Sequence, residues 1–328
     1  MFVGVILNPQ ARRNRRAGRN RLARLRDAIG PWGELTETAS VDELGGALEA
    51  MLPRATHLVS DGGDGALNCM IHEVRARRPD PASWPAFIPT NGGTIDFVAR
   101  KAGVEGRALS ILRALRRNAE EGRAPIEVAL DSLHLVGRHA DGAPFDRIGF
   151  ALAAGGIGNR FFDKYYEDDD PSPTTIVRII ARTIAGYGTS VIAGRPDPYA
   201  AHLFSPTRAR VSIDGAEVPS DAHAGLHAGA FDVNLGGVVR VFPQARAAGV
   251  LHFQAGSLTP AQIIRNLPRI VSGAAIMGPG LRDTAGERMH IDAAPGERLA
   301  PILDGERFTD LVELDVSRGP TVRIARPR

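Results

Sequence analysis

Three times between Phe2 and Ala102 a short apolar run breaks at a loop containing glycine or asparagine and resumes with helical spacing. Phe2–Leu7 runs into Asn8-Pro9-Gln10, and a helix is expected over Arg15–Ala28. His57–Ser60 enters Asp61-Gly62-Gly63-Asp64-Gly65, and the next residues place Leu67, Met70, Ile71 and Val74 on one helical face. Ala86–Pro89 leads through Thr90-Asn91-Gly92-Gly93-Thr94 to a helix from Val98 to Ala102, while Asp42–Met51 reads as a further helix. Strand alternating with helix specifies a parallel α/β sheet, and such sheets bind ligands beyond the carboxyl ends of their strands. The three loops are therefore expected to converge on one ligand site.

Near Gly122–Pro125 the texture changes to short alternating runs separated by turn dipeptides, among them Asp141-Gly142, Asp214-Gly215 and Asp304-Gly305. Two helices interrupt this region, one over Thr174–Tyr187 and one over Pro260–Ser272 with Thr259 as N-cap. A chain of 328 residues suits two domains. The expected division is an α/β domain over 1–124, with the C-terminal strand at 311–328 as its candidate completion, and an all-β sandwich over 125–310.

Composition narrows the function. Hydrophobic residues at 43% and charged residues at 23% describe a globular chain, and no run approaches the eighteen or so apolar residues of a spanning helix. The N-terminus reads as a strand and not as a signal peptide, so a cytoplasmic location is expected. The single cysteine, Cys69, fits a reducing compartment as a free core thiol. Net charge is only +3, but arginines cluster between Arg12 and Arg26. That run reads as a solvated helix face, with one or two arginines available to a phosphate. The absence of zinc spacing and of basic-plus-aromatic patterning speaks against nucleic acid.

The loop Gly62–Gly65 carries the strongest chemical signal. Glycine lets backbone N–H groups approach phosphate oxygens, and the following helix turns its positive end toward them. Asp64 suits a Mg²⁺–water shell or an attacking hydroxyl. A lone Gly-Asp-Gly is more often a plain strand-to-helix turn. The segment also lacks the third glycine of the dinucleotide fingerprint, and the chain has no Gly-x-x-x-x-Gly-Lys-Ser/Thr loop. The histidines lack metal spacing and read as core or surface residues, and Glu167–Asp170 as a solvated loop.

Asn8-Pro9, Gly62-Gly63-Asp64-Gly65-Ala66-Leu67-Asn68 and Pro89 with Gly93-Thr94-Ile95-Asp96 follow one another in an order that resembles the diacylglycerol kinase and sphingosine kinase superfamily. Gly155-Gly156-Ile157-Gly158, Gly236-Gly237, Pro243-Gln244-Ala245 and Leu303-Asp304-Gly305-Glu306 extend the resemblance over nearly the whole chain. It implies an N-terminal domain similar to phosphofructokinase and NAD kinase, a C-terminal β-sandwich, and ATP with Mg²⁺ in the cleft between them. It implies that Asn8, Pro9, Gln10, Thr38, Gly62, Gly63, Asp64, Gly65, Ala66, Leu67, Asn68, Gly93 and Thr94 line the nucleotide. Asp64, Asp304 and Glu306 are the implied catalytic residues, with the proton acceptor either Asp64 or Glu306.

The implied reaction moves the ATP γ-phosphate to a hydroxyl of a membrane lipid such as diacylglycerol or a sphingoid-like acceptor, by an enzyme touching the membrane peripherally. Arg178 and Arg182, beside the apolar stripe of the Thr174–Tyr187 helix, suit that contact. Ala66 stands where the superfamily usually has threonine, Cys69 where glutamate is common, and Asp96 where asparagine is usual. Those departures leave a catalytically weak or inactive nucleotide- or lipid-binding homologue as one alternative, and the shared glycine loop leaves an NAD kinase-like enzyme as another.

Overall fold

A computed structural model describes residues 1–15, 20–235 and 237–328, without the side chains of Arg12 and Arg13. The chain divides into two compact units, Met1–Leu130 with Thr321–Arg328, and Asp131–Pro320.

In the first unit β1 (Val3–Leu7), β2 (Gly33–Glu37), β3 (His57–Asp61) and β4 (Ala86–Pro89) pair in parallel in the order β2-β1-β3-β4. Every residue of β1, β3 and β4 is buried, as strands covered on both faces must be. The connecting helices are α1 (Arg12–Arg15), α2 (Arg21–Ile29), α3 (Val41–Met51), α4 (Asp64–Arg77), α5 (Phe97–Lys101) and α6 (Ala108–Glu120). The single helix expected over Arg15–Ala28 is thus represented by α1 and α2, and residues 16–19 lie outside the described set. Ser40 caps α3 by accepting the amide of Glu43 at 3.2 Å.

The sheet continues with a strand from the far end of the chain, Val322–Arg326, parallel to β4 and antiparallel to β5 (Ile126–Leu130). That pairing draws β5 into the first unit, so the division falls after Leu130 and not after residue 124.

The second unit is built on antiparallel strands. Its elements are β6 (Leu133–His139), β7 (Pro144–Gly149), β8 (Ala151–Gly156), α7 (Ile157–Tyr166), α8 (Pro173–Ala193), α9 (Pro198–Leu203), β9 (Thr207–Ile213), β10 (Ala216–Glu217), β11 (Ala222–His223), β12 (Gly225–Gly229), β13 (Val233–Leu235), β14 (Val239–Val241), β15 (Leu251–Gly256), α10 (Pro260–Ser272), β16 (Leu281–Gly286), β17 (Arg288–Ala293), β18 (Ile302–Leu303), β19 (Glu306–Arg307) and β20 (Leu311–Arg318). One sheet runs β10-β9-β17-β20-β6-β7 with β11 on β9, a second β16-β15-β12-β8-β18-β19, and β13 and β14 pair as a separate two-stranded sheet. Because β20 pairs with β6 and β17, only the strand Val322–Arg326 returns to the first unit, and not the whole of 311–328. Asp214-Gly215 and Asp304-Gly305 both turn with two consecutive positive φ angles, the conformation a two-residue hairpin selects. The helical content exceeds the two helices expected: α7 and α9 are additional, and α8 runs six residues past Tyr187.

α8 is the one described helix long and apolar enough to cross a membrane on length and composition. Ile176, Ile179, Thr183 and Gly186 are buried, whereas Val177, Ile184, Val191 and Ile192 are exposed.

A row of polar side chains crosses β12, β15 and β16. His227 is in register with Gln254, and Gln254 with Asp283. His227 Nδ1 meets Gln254 Oε1 at 3.1 Å, and Gln254 Nε2 donates to Asp283 Oδ1 at 3.2 Å. Asp283 also accepts from His252 and from the amide of Ile276. Burial alone would raise the Asp283 carboxyl; the hydrogen bonds, led by that of His252, hold it below the usual range.

Burial lowers His227 to about 4, with the Gln254 hydrogen bond only partly opposing it. Burial likewise lowers His57 and His223. Each is neutral when folded and takes up a proton on unfolding near pH 6.5, so stability falls as pH drops from about 6.5 toward the folded values. For His227 the loss is about 3 kcal/mol by pH 4. Urea midpoints at pH 7.5, 6 and 5 are expected to decline, and His227→Gln to flatten the slope. His290, raised in spite of burial by Asp292 and Asp315, works the other way: its contribution is full below pH 6.5 and is lost as pH rises through its folded value.

Candidate functional site

The carboxyl ends of β1, β3 and β4 deliver the three loops singled out in the sequence. Gly63 is the N-cap of α4 and has no side chain with which to satisfy the first-turn amides. Those amides lack carbonyl partners four residues back and carry the positive end of the helix dipole. An anion is the group that such a terminus accommodates.

The glycines also let two loops touch backbone to backbone. A Cβ on Gly63 would lie 2.9 Å from Gly93 Cα, one on Gly93 would lie 2.6 Å from Gly63 Cα, and one on Gly92 would lie 2.8 Å from Gly62 O. The Gly92 amide donates to Gly62 O at 3.1 Å. Gly63→Ala introduces no forbidden backbone angle, since Gly63 has φ −94°, but it pushes backbone against backbone. It is expected to cost about 1–3 kcal/mol, read as a lowered urea midpoint.

Asp64 fastens the same two loops. Its Oδ2 accepts the amide of Phe97 and its Oδ1 that of Val98, each at 3.1 Å, so a carboxylate on the first residue of α4 caps α5. Asp96, the formal N-cap of α5, is turned to φ 52° and accepts the Gly93 amide at 2.8 Å instead. An ionised carboxylate offers about four acceptor positions, and these two amides take two of them.

Behind the loops lies a polar cluster the sequence pattern did not single out. Asp61, 1% exposed, accepts from Thr90 Oγ1 at 2.8 Å and is ion-paired with Arg21. Asn14 Nδ2 donates to the carbonyls of Asn8 and Asp61, both at 2.8 Å. One arginine of the basic run therefore turns inward to a buried carboxylate, while Arg24 and Arg26 lie exposed on α2. An aspartate ending a fully buried strand was the available sign that a cation would be supplied to it.

The remaining nucleotide-lining candidates sit around this cluster. The Gln10 amide donates to Asn8 Oδ1 at 2.8 Å, which shapes the Asn8-Pro9-Gln10 turn. Thr38 is buried, its amide bound to Leu7 O at 3.0 Å. Leu67 and Asn68 are buried on the inner side of α4, whereas Gly65, Ala66 and Thr94 are half-buried. The Ala66 methyl packs against Gly62, whose own Cβ would come within 2.5 Å of it.

In the second unit Asp304, at φ 52° and 4% exposed, points its carboxylate at the junction of β7 and β8. It accepts the amides of Phe150 at 3.0 and 3.1 Å and of Ala151 at 2.9 Å. Two residues on, Glu306 is exposed on β19. Gly236 lies outside the described residues, and Gly237 has φ 80°. Strand pairing also brings His290, Asp292 and Glu313 within 4.8 Å of one another, a grouping the scattered sequence positions hid. Ion pairs to Asp315 and Arg138 already engage His290 and Glu313.

The fold, an α/β unit with glycine loops at its strand ends and a unit of antiparallel strands, is similar to that of solved structures of diacylglycerol kinases. Among solved structures, a diacylglycerol kinase from Bacillus anthracis str. Sterne aligns over 99% of this chain and 96% of its own, with a TM-score of 0.59 and 13% identity. Two putative diacylglycerol kinases from the same organism align with TM-scores of 0.65 and 0.63 at 14% identity, covering 99% and 98% of this chain and 96% of each of theirs. No protein-family model and no curated protein matches the sequence.

Proposed function

We propose that the protein is a lipid kinase that transfers the γ-phosphate of Mg²⁺-bound ATP to a hydroxyl of a membrane lipid. The observation that carries this reading is the terminus of α4, where a glycine cap and the backbone-packed Gly62–Gly63 and Gly92–Gly93 segments suit a chain of phosphates. The likeness in fold to diacylglycerol kinases over nearly the full chain supports it.

The residues fit the nucleotide and its metal. The first-turn amides of α4 receive phosphate oxygens, and Asp64, on the first residue of that helix, brings a carboxylate of the kind that binds a hard cation or its water. Bound Mg²⁺-ATP supplies the transferable phosphoryl group and the charge that spreads its negative oxygens. Transfer forms a bond from the lipid oxygen to the γ-phosphorus and breaks the bond to the β–γ bridging oxygen, leaving ADP. The hydroxyl proton goes to a carboxylate, Glu306 or Asp64. Asp304 acts as a positioning residue for the Glu306 hairpin, because its own oxygens are committed to the backbone of Phe150 and Ala151.

Purified protein incubated with Mg²⁺-ATP and a total lipid extract should yield phosphorylated lipid detectable by mass spectrometry. A parallel incubation with NAD should yield no phosphorylated dinucleotide. Thermal stabilisation by Mg²⁺-ATP without any phosphorylated lipid would replace the kinase reading with a binding one, toward which the missing hydroxyl at Ala66 points.

A further inference from the structure

The hairpin that carries Glu306 is a weak platform taken alone. β19 is two residues long and ends its sheet, paired with an equally short β18. The turn residues Asp304 and Gly305 lie outside that ladder, so their carbonyls need partners from elsewhere. A group that takes part in phosphoryl transfer must be held to a fraction of an ångström, and two paired residues at a sheet edge do not supply that precision.

One face of α7 supplies the rest. Asn159, Asp163 and Tyr166 stand four and then three residues apart, the spacing that brings side chains onto one side of a helix. All three bond to the hairpin or its entry: Asn159 Nδ2 donates to Ala300 O at 2.5 Å, Arg307 donates to Asp163 Oδ1 at 2.5 Å, and Tyr166 Oη donates to Gly305 O at 2.8 Å. The last two contacts fall on the residues immediately after and before Glu306. Each of these side chains is itself held. Asn159 is buried, and His202 of α9 meets the second Asp163 oxygen at 3.1 Å. The Tyr166 ring stacks on that of Phe162 one turn back, with centroids 5.7 Å apart and planes 25° apart. Tyr165, 2% exposed, already anchors α7 in the core, whereas Tyr166 stays 47% exposed. Burial therefore does not account for the placing of Tyr166; the bond from its hydroxyl to the turn does.

We infer that α7 positions Glu306: the Tyr166 hydroxyl and the Asp163–Arg307 pair fix the peptide units on either side of it, and Asn159 ties the helix to the entry of the hairpin. Tyr166 and Asp163 are thus positioning residues that act through Glu306 and not on the substrate. The inference rests on the kinase reading for the use made of Glu306, whereas the grip on the hairpin is measured without turnover.

Initial rates at varied Mg²⁺-ATP, with total lipid extract as acceptor, are compared for full-length wild type, Tyr166→Phe, Glu306→Gln and the double variant. Tyr166→Phe should lower kcat about tenfold and leave the KM for ATP within about twofold, since the hairpin and not the nucleotide loops is released. Its urea midpoint should stay in place, because one oxygen is removed from a half-exposed ring. Added to Glu306→Gln, the same substitution should change kcat by less than about twofold, the non-additivity of two residues acting as one. An equal loss in both backgrounds would overturn the inference, as would full turnover by Tyr166→Phe or by Glu306→Gln. Hydrogen exchange over residues 304–308 should quicken about tenfold in Tyr166→Phe while exchange in β6 keeps its rate, and an unaltered hairpin would equally overturn it. A wild type that phosphorylates no lipid, with quickened exchange in Tyr166→Phe, would support the grip of α7 on the hairpin and remove the kinase reading.

Discussion

Asp64→Asn is expected to reduce lipid phosphorylation by roughly a hundredfold to ten-thousandfold, the range associated with losing a positioned acid or base. The substitution keeps size and shape but removes the negative charge, and leaves one oxygen where two now accept the amides of Phe97 and Val98. The start of α5 would lose part of its cap, costing about 1–2 kcal/mol, or a fall of about 2–8 °C in melting temperature for a unit of this size. The two effects separate in Asp64→Ser, whose hydroxyl can still cap a helix but cannot supply a carboxylate: stability should be partly retained and turnover should not. Initial rates and melting curves on the three proteins test this, and full turnover by Asp64→Asn would remove Asp64 from the chemistry.

Asp304→Ala should produce the largest loss of stability of any single change at the candidate site, about 3–5 kcal/mol. It strips a buried carboxylate from the amides of Phe150 and Ala151 and places alanine at φ 52°. Asparagine tolerates that backbone angle and still offers one acceptor, so Asp304→Asn should lose less than half as much. Urea unfolding of both variants gives the ranking. Equal losses would show that the carboxylate does not hold the hairpin, and the role of Asp304 as the support of Glu306 would go with it.

The contrast between these two acids marks how much was legible beforehand. The glycine loops, the strands ahead of them and the Asp-Gly turns were readable because each depends on local rules: apolar runs, helical spacing, and residues that accept positive φ. The partners of those loops were not. Asp64 caps a helix that begins thirty-three residues away at Phe97, Arg21 finds Asp61 across forty, and His252 receives its acid from Asp283 on a neighbouring strand. No spacing rule encodes such meetings, because strand order decides them. The same limit hid α7, where Gly155-Gly156-Ile157-Gly158 and an aromatic run disfavour a helix by local preference. There the packed rings of Phe161, Phe162, Tyr165 and Tyr166 outweigh that preference. Likewise α8 outran its expected end, since Gly186 and Gly188 resemble a stop while Gly186 fits closely against Asp197.

The strand Val322–Arg326 couples the assembly of the first sheet to that of everything between. Its partner β5 ends at Leu130, and the intervening residues form the whole second unit, whose ends are clasped by Ser132 Oγ on Pro320 O at 2.6 Å and by the Gly319 amide on Ser132 O at 2.8 Å. During synthesis β4 must therefore wait with an unpaired edge until that unit has formed and handed the strand back, a long-range closure of the kind that slows folding. A fragment stopping at Leu130 would keep the glycine-loop residues yet present that edge to other chains, so aggregation, more than loss of any contact at the loops, would be its characteristic failure.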